Sequence, residues 1–145
     1  MQDHTLSRVL ESLKNINNRY DLDIQLVGKV ENKEIYELHR ETWVLMFPSI
    51  ADKPLPYAVA EAMALSTIPI ASKVGDIPEI TIDTPAENFL FVPGNIDELI
   101  NKIKMVMSWP REKIISIGIR LKEHVTKLFD SKDINSRILR VFNSD

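Results

Sequence analysis

The sequence predicts an α/β layered fold, a parallel sheet of about four strands covered by helices, and three observations carry that expectation. Four short apolar runs, Ile24 to Val27, Trp43 to Phe47, Ile68 to Ala71 and Asn88 to Val92, are continuous rather than alternating, as strands covered on both faces are. Segments with apolar residues at helical spacing lie between and after them. Strand, helix, strand is the crossover unit that joins parallel neighbours, usually in the right-handed sense.

Each element has its own signal. Leu6, Val9, Leu10, Leu13 and Ile16 recur at helical spacing; Thr5 or Ser7 can cap the start and Asn17-Asn18 mark the stop of an N-terminal helix within residues 1–22. Ile24 to Val27 reads as the first strand, ended by Gly28. Asn32 can cap a second helix carrying Ile35, Tyr36, Leu38 and His39 toward Trp43, where the next strand begins and where Trp43 is expected in the core. Pro48 to Leu55 reads as a loop and Pro56 to Leu65 as a helix, proline being well tolerated at the first helical position. Ile68 to Ala71 is the third strand, followed by a loop from Ser72 to Pro78 with Gly75 and Asp76, and Asn88 to Val92 is the fourth. After Pro93-Gly94, Asn95 caps a helix with Ile96, Leu99, Ile100, Ile103 and Val106. Pro110 opens another with Ile114, Ile117, Leu121, Val125 and Leu128, and a last short helix runs from about Ser131 to Phe142, which makes residues 110–145 the C-terminal helices.

Composition bounds the function. A chain of 145 residues that is 44% hydrophobic and 27% charged fits one globular domain with its own core. A net charge of -3 gives no basic footprint, so nucleic acid is not an expected partner. The basic residues Lys102, Lys104, Arg111, Lys113, Arg120, Lys122 and Lys127 read as solvated helix faces. The absence of cysteine removes disulfides, thiolate zinc sites and cysteine nucleophiles, and fits the cytoplasm. No apolar run approaches the ~20 residues of a transmembrane span, which leaves only a peripheral membrane position open. No histidine pair or aspartate-rich cluster stands at ligand spacing, so no metal is expected, and His4, His39 and His124 read as satisfied or surface histidines.

In a layered α/β fold the ligand lies beyond the carboxyl ends of the strands. Two loops qualify, Pro48 to Leu55 after the Trp43 strand and Ser72 to Pro78 after the Ile68 strand. The first leads into a helix whose opening N–H groups point at whatever the loop surrounds, and Glu61 lies in that helix among Ala60, Ala62, Met63 and Ala64. The plain reading is a helix-surface glutamate, but so apolar a setting reads as burial, and a buried acid needs a partner.

At this point a family pattern emerges. Gly28-Lys-Val30, Glu34 to Leu38, Trp43 to Ser49, Glu61-Ala-Met-Ala64, Ile68 to Ser72, Val74-Gly-Asp-Ile-Pro-Glu79 and Val92-Pro-Gly94 together resemble the C-terminal, donor-binding domain of group 1 retaining glycosyltransferases with the GT-B fold. The resemblance implies a Rossmann-like fold, a nucleotide-sugar donor such as a UDP- or GDP-sugar, and no metal or other cofactor. It is strongest over residues 24–107, where the family signature is two glutamates separated by seven residues. The second matches Glu61, which in the family hydrogen-bonds the ribose hydroxyls, a task suited to a carboxylate with two acceptor oxygens. Leu55, Tyr57 and Ala58 would offer N–H groups to the donor phosphates, and Gly75 and Asp76 would contact the donor sugar or simply form a turn. Glu79 serves equally as a first-turn acid favoured by the helix dipole.

Three departures accompany the match. Lys53 stands where the first family glutamate would contact the transferred sugar; a lysine only donates, so that role cannot carry over unchanged, although Asp52 is one residue away. Lys53 and Asp52 therefore also read as solvated loop charges. Pro56 replaces the family glycine and removes one backbone donor. Nothing before Ile24 matches the family's opening strand, Gly-Arg turn and Lys-Gly helix start that hold the diphosphate. The expectation is an incomplete GT-B C-terminal domain, truncated or split, in which the Ile24 strand pairs directly with the Trp43 strand and a homodimer or partner chain covers the edge. Without the N-terminal acceptor domain the isolated chain should be inactive. The rival reading is a degenerate, non-catalytic module kept for protein association or weak nucleotide binding. Trp109 is expected in a loop or an interface.

Overall fold

Strands β1 (Val44–Phe47), β2 (Ile68–Ser72) and β3 (Leu90–Phe91) form a three-stranded sheet in the order β1-β2-β3. Both pairs are parallel, Val44 opposite Ile68 and Ala71 opposite Leu90. The computed structural model describes residues 4–20, 23, 25, 27, 30–51 and 57–130. Three of the four expected apolar runs thus supply strands. Ile24 and Leu26 of the first run, and with them its expected pairing with the Trp43 strand, lie outside the described residues; Gln25 and Val27 are not in the sheet.

The fourth run is corrected in its first half. Asn88 and Phe89 belong to a 3₁₀ turn, Pro85–Phe89, and only Leu90 and Phe91 are strand. The cause is local. Asp83 takes a left-handed φ of 59°, Thr84 accepts a hydrogen bond from the Ala86 N–H at 3.1 Å, and Pro85 supplies a helical φ.

Pro69 sits fully buried in the central strand, where proline ordinarily costs a ladder hydrogen bond. Here it costs none. The Ile68 N–H donates to the Trp43 carbonyl at 3.1 Å, so the next nitrogen, that of Pro69, faces the β3 side, and β3 begins to pair only at Ala71.

The chain divides into two compact units, Met1–Glu31 and Asn32–Asp145. The first contains α1 (His4–Tyr20), which runs through Asn17-Asn18 rather than stopping there. The second contains the sheet and α2 (Asn32–Glu41), α3 (Tyr57–Ala64), α4 (Ile77–Thr81), α5 (Ile96–Met107) and α6 (Arg111–Leu128). On α2, His39 is buried while Tyr36 and Leu38 are exposed. The buried Thr67 hydroxyl ties this helix to the sheet by donating to the His39 carbonyl at 3.0 Å. The expected helix from Ser131 to Phe142 lies outside the described residues.

Val59 and Met63 of α3, Ile68 and Ile70 of β2, Ile77 of α4, Phe89, Phe91 and Leu121 of α6 form the core and are almost fully buried. Each side chain of that kind contributes roughly 1.5–3 kcal/mol by leaving water. The apolar positions expected on the last described helix, Ile114, Ile117, Leu121 and Val125, all face this core. Trp43 does not. It is 50% exposed, just before the edge strand β1, whose own Met46 is 57% exposed.

α3 ends in a left-handed cap. Ser66 has φ 66°, the Thr67 N–H reaches the Ala62 carbonyl at 2.8 Å, and the Ser66 N–H reaches the Met63 carbonyl at 3.0 Å. Gly118 of α6 lies against this cap so closely that an added Cβ would stand 2.3 Å from the Ser66 carbonyl oxygen. Glycine there lets α3 and α6 meet.

Candidate functional site

The carboxyl ends of the strands, where the fold rule puts the ligand, are held together by a buried serine. Ser72 Oγ donates to the carbonyl of Phe47 at 3.3 Å, joining the last residues of β1 and β2. Three loops leave this edge. After β1, Ser49 Oγ accepts the Ala51 N–H at 3.3 Å and starts the turn. Asp52, Lys53, Leu55 and Pro56 then lie outside the described residues.

The loop resumes at the first turn of α3. Tyr57 is 69% exposed and Ala58 half-buried. Val59, Ala60, Ala62 and Met63 turn inward, which leaves Tyr57 and Glu61, four residues apart, on the outward strip. This corrects the expectation of a buried acid. The apolar neighbours of Glu61 are buried, while Glu61 itself is exposed. The helix is enclosed on its other sides by α6 and by the sheet.

After β2, Gly75 adopts a left-handed φ of 51°, and the Ile77 N–H closes the turn onto the Val74 carbonyl at 3.2 Å. Gly75 is exposed and Asp76 half-buried at the start of α4, a short helix inside and beyond what the sequence presents as loop. Asp76 makes no side-chain cap bond there, and Glu79 falls in the first turn as the dipole reading expects. After β3, Gly94 takes φ 79° and the Asn95 N–H returns to the Val92 carbonyl at 3.0 Å. Asn95 Oδ1 accepts the Glu98 N–H at 3.0 Å as the expected cap. The Glu98 carboxylate accepts the Val92 N–H at 2.8 Å, so this acid is committed to its own loop. Nothing in its spacing announced that reach.

The structure therefore brings Tyr57, Ala58, Glu61, Gly75 and Asp76 to elements that begin at one edge of the sheet. Among the described residues no group of three or more His, Cys, Asp or Glu is arranged to hold a metal ion. His39 and His124 lie on α2 and α6 rather than in these loops, and His124 Nε2 is buried without a hydrogen-bond partner. Among the described residues no helix is long and apolar enough to cross a membrane.

A parallel α/β domain with helices opening at the strand ends belongs to the layered folds whose ligands lie beyond those ends. The sequence model for glycosyl transferases group 1 matches residues 8–120, and the chain belongs to that family. The structure superposes on sucrose-phosphate synthase from Thermosynechococcus elongatus, a GT-B enzyme, with a TM-score of 0.77 and 26% identity. The match covers 98% of this chain and 35% of that one. No curated protein matches significantly. The Rossmann-like α/β architecture implied by the resemblance is the one observed.

Proposed function

We propose that this domain is the donor-binding half of a retaining glycosyltransferase that takes a nucleotide-sugar, a UDP- or GDP-sugar, as donor. The observation that carries the reading is Glu61, exposed on the outward strip of a helix that starts at the sheet's carboxyl edge, in a chain whose family membership spans this segment. An exposed carboxylate there has both oxygens available for vicinal ribose hydroxyls. The first-turn N–H groups of Tyr57 and Ala58 would face the donor phosphates, and the Gly75-Asp76 turn the sugar. The parent reaction is substitution at the anomeric carbon with loss of a nucleoside diphosphate, and donors aimed at the leaving phosphate would stabilise the charge that develops there. Acceptor choice and turnover then rest with the N-terminal domain or a partner chain.

A second reading has a specific observation in its favour. Lys53 and Pro56 stand where the family carries a carboxylate and a glycine, which describes a weakened site in a module kept for association or loose nucleotide binding. Titration with UDP, GDP and ADP separates the two. The donor reading expects saturable binding of at least one nucleoside diphosphate, weakened about tenfold or more in Glu61→Ala, as the loss of hydrogen bonds to a charged group implies. Absence of saturable binding to all three leaves the association reading standing.

A further inference from the structure

We propose that a cavity between the 3₁₀ turn, α5 and α6 is a binding site for a small organic anion, a phosphate monoester or carboxylate attached to an apolar ring or chain. It is separate from the carboxyl edge and independent of the donor reading. The cavity measures about 440 Å³, within the range of small-molecule sites. Its floor is apolar: Phe89 and Ile117 are buried, and Pro85, Met105 and Trp109 are half-buried beside them. The Trp109 and Phe89 rings meet edge to face, with centroids 5.5 Å apart, which fixes the aromatic wall.

The rim is polar and of one sign. Lys113, Ser116 and Arg120 are exposed around the opening together with Asn88, and no carboxylate lines the cavity. Lys113, Ser116, Ile117 and Arg120 recur at i, i+3, i+4 and i+7, one continuous stripe of α6. Of this stripe only Ile117 is buried, and an exposed cation stands at each end. Neither cation forms an ion pair among the described residues.

Lys113 is exposed like the other helix charges but has an aromatic partner. Its ammonium lies 3.8 Å from the centre of the Trp109 ring, held by the ring's quadrupole. It also lies in the first turn of α6, where the helix dipole disfavours a cation. A charge placed against the dipole, parked on an aromatic wall and left without a counter-ion is a charge available to a ligand. An apolar group against Phe89, Met105 and Ile117 with an anionic head between Lys113 and Arg120 would satisfy floor and rim together.

The test uses fluorescence of the full chain. The sequence has two tryptophans, so Trp43→Phe leaves Trp109 as the sole reporter. This protein is titrated with phenyl phosphate, benzoate, the neutral benzyl alcohol and inorganic phosphate. The proposal expects saturable change with phenyl phosphate or benzoate, the tighter of the two telling phosphate from carboxylate. Benzyl alcohol and inorganic phosphate should bind at least tenfold more weakly. Arg120→Gln and Lys113→Gln, both on the exposed rim, should each weaken the anion at least tenfold, whereas Glu61→Ala should leave it unchanged. The proposal is overturned if neither anion saturates in a protein with native circular dichroism, if benzyl alcohol binds as tightly as the anions, or if the rim variants bind like the parent.

Discussion

Replacing Gly118 by alanine sets two effects of opposite sign against each other, and the structure decides between them. Intrinsic helix propensity favours alanine in α6 by about 1 kcal/mol. The new methyl group, however, would stand 2.3 Å from the Ser66 carbonyl oxygen and 3.1 Å from both the Ser66 carbonyl carbon and Cβ, where ordinary contact begins at 3.4 Å. The deepest overlap is with backbone at the left-handed cap of α3, which no rotamer change relieves. α6 and the α3 cap must separate by roughly 1 Å, and insertion into a tight core typically costs ~1–3 kcal/mol. At the upper end of that range, less the propensity gain, Gly118→Ala loses about 2 kcal/mol. For a two-state domain of this size that lowers Tm by ~8 °C and the urea midpoint by ~1 M. Parallel thermal and urea unfolding followed by circular dichroism measure it. A midpoint equal to or above that of the parent would mean that propensity governs the position and that the close approach of the two helices is not a packing constraint.

Two further substitutions probe helix caps, one at the end of α3 and one at the start of α5. Ser66→Gly removes a non-glycine residue from φ 66° and should stabilise by up to about 1 kcal/mol, read as a higher urea midpoint; a fall would show that the serine side chain contributes more than its backbone strain costs. Asn95→Ala deletes the acceptor of the Glu98 N–H at the start of α5 and should cost about 1 kcal/mol, with amide exchange in the Val92–Glu98 loop accelerating before that in α6; uniform acceleration would contradict a local role for the cap.

The parts of the fold that sequence reveals are those where one physical cause acts alone. Continuous apolar runs suggest coverage on both faces: β2 is buried at all five residues, while β1 lies where its run does but leaves Met46 57% exposed. Asn95 before a helical stripe likewise has a single use, and the structure assigns it. Asn88-Phe89 had two competing causes. Their apolar neighbours favoured strand, but Thr84-Pro85 just upstream is a capped 3₁₀ start, and short-range backbone geometry prevailed. The cap at Ser66 carries no glycine to announce it, and the contact that demands Gly118 joins residues 52 positions apart, so neither is visible to local patterns.

Glu61 shows how a sequence can suggest the wrong environment for a residue. Alanines and methionine on both sides suggest an acid sealed in the core, yet they report something else. An eight-residue helix packed against both the sheet and α6 must be apolar over most of its circumference, and α6 comes close enough to the cap of this helix for Gly118 to be required. What remains is a strip wide enough for Tyr57 and Glu61 alone, opening at the edge where the strands end. The squeeze that makes the surrounding sequence apolar is thus the same feature that leaves one carboxylate facing outward, and a donor site built on it would need no buried charge to be compensated before the ligand arrives.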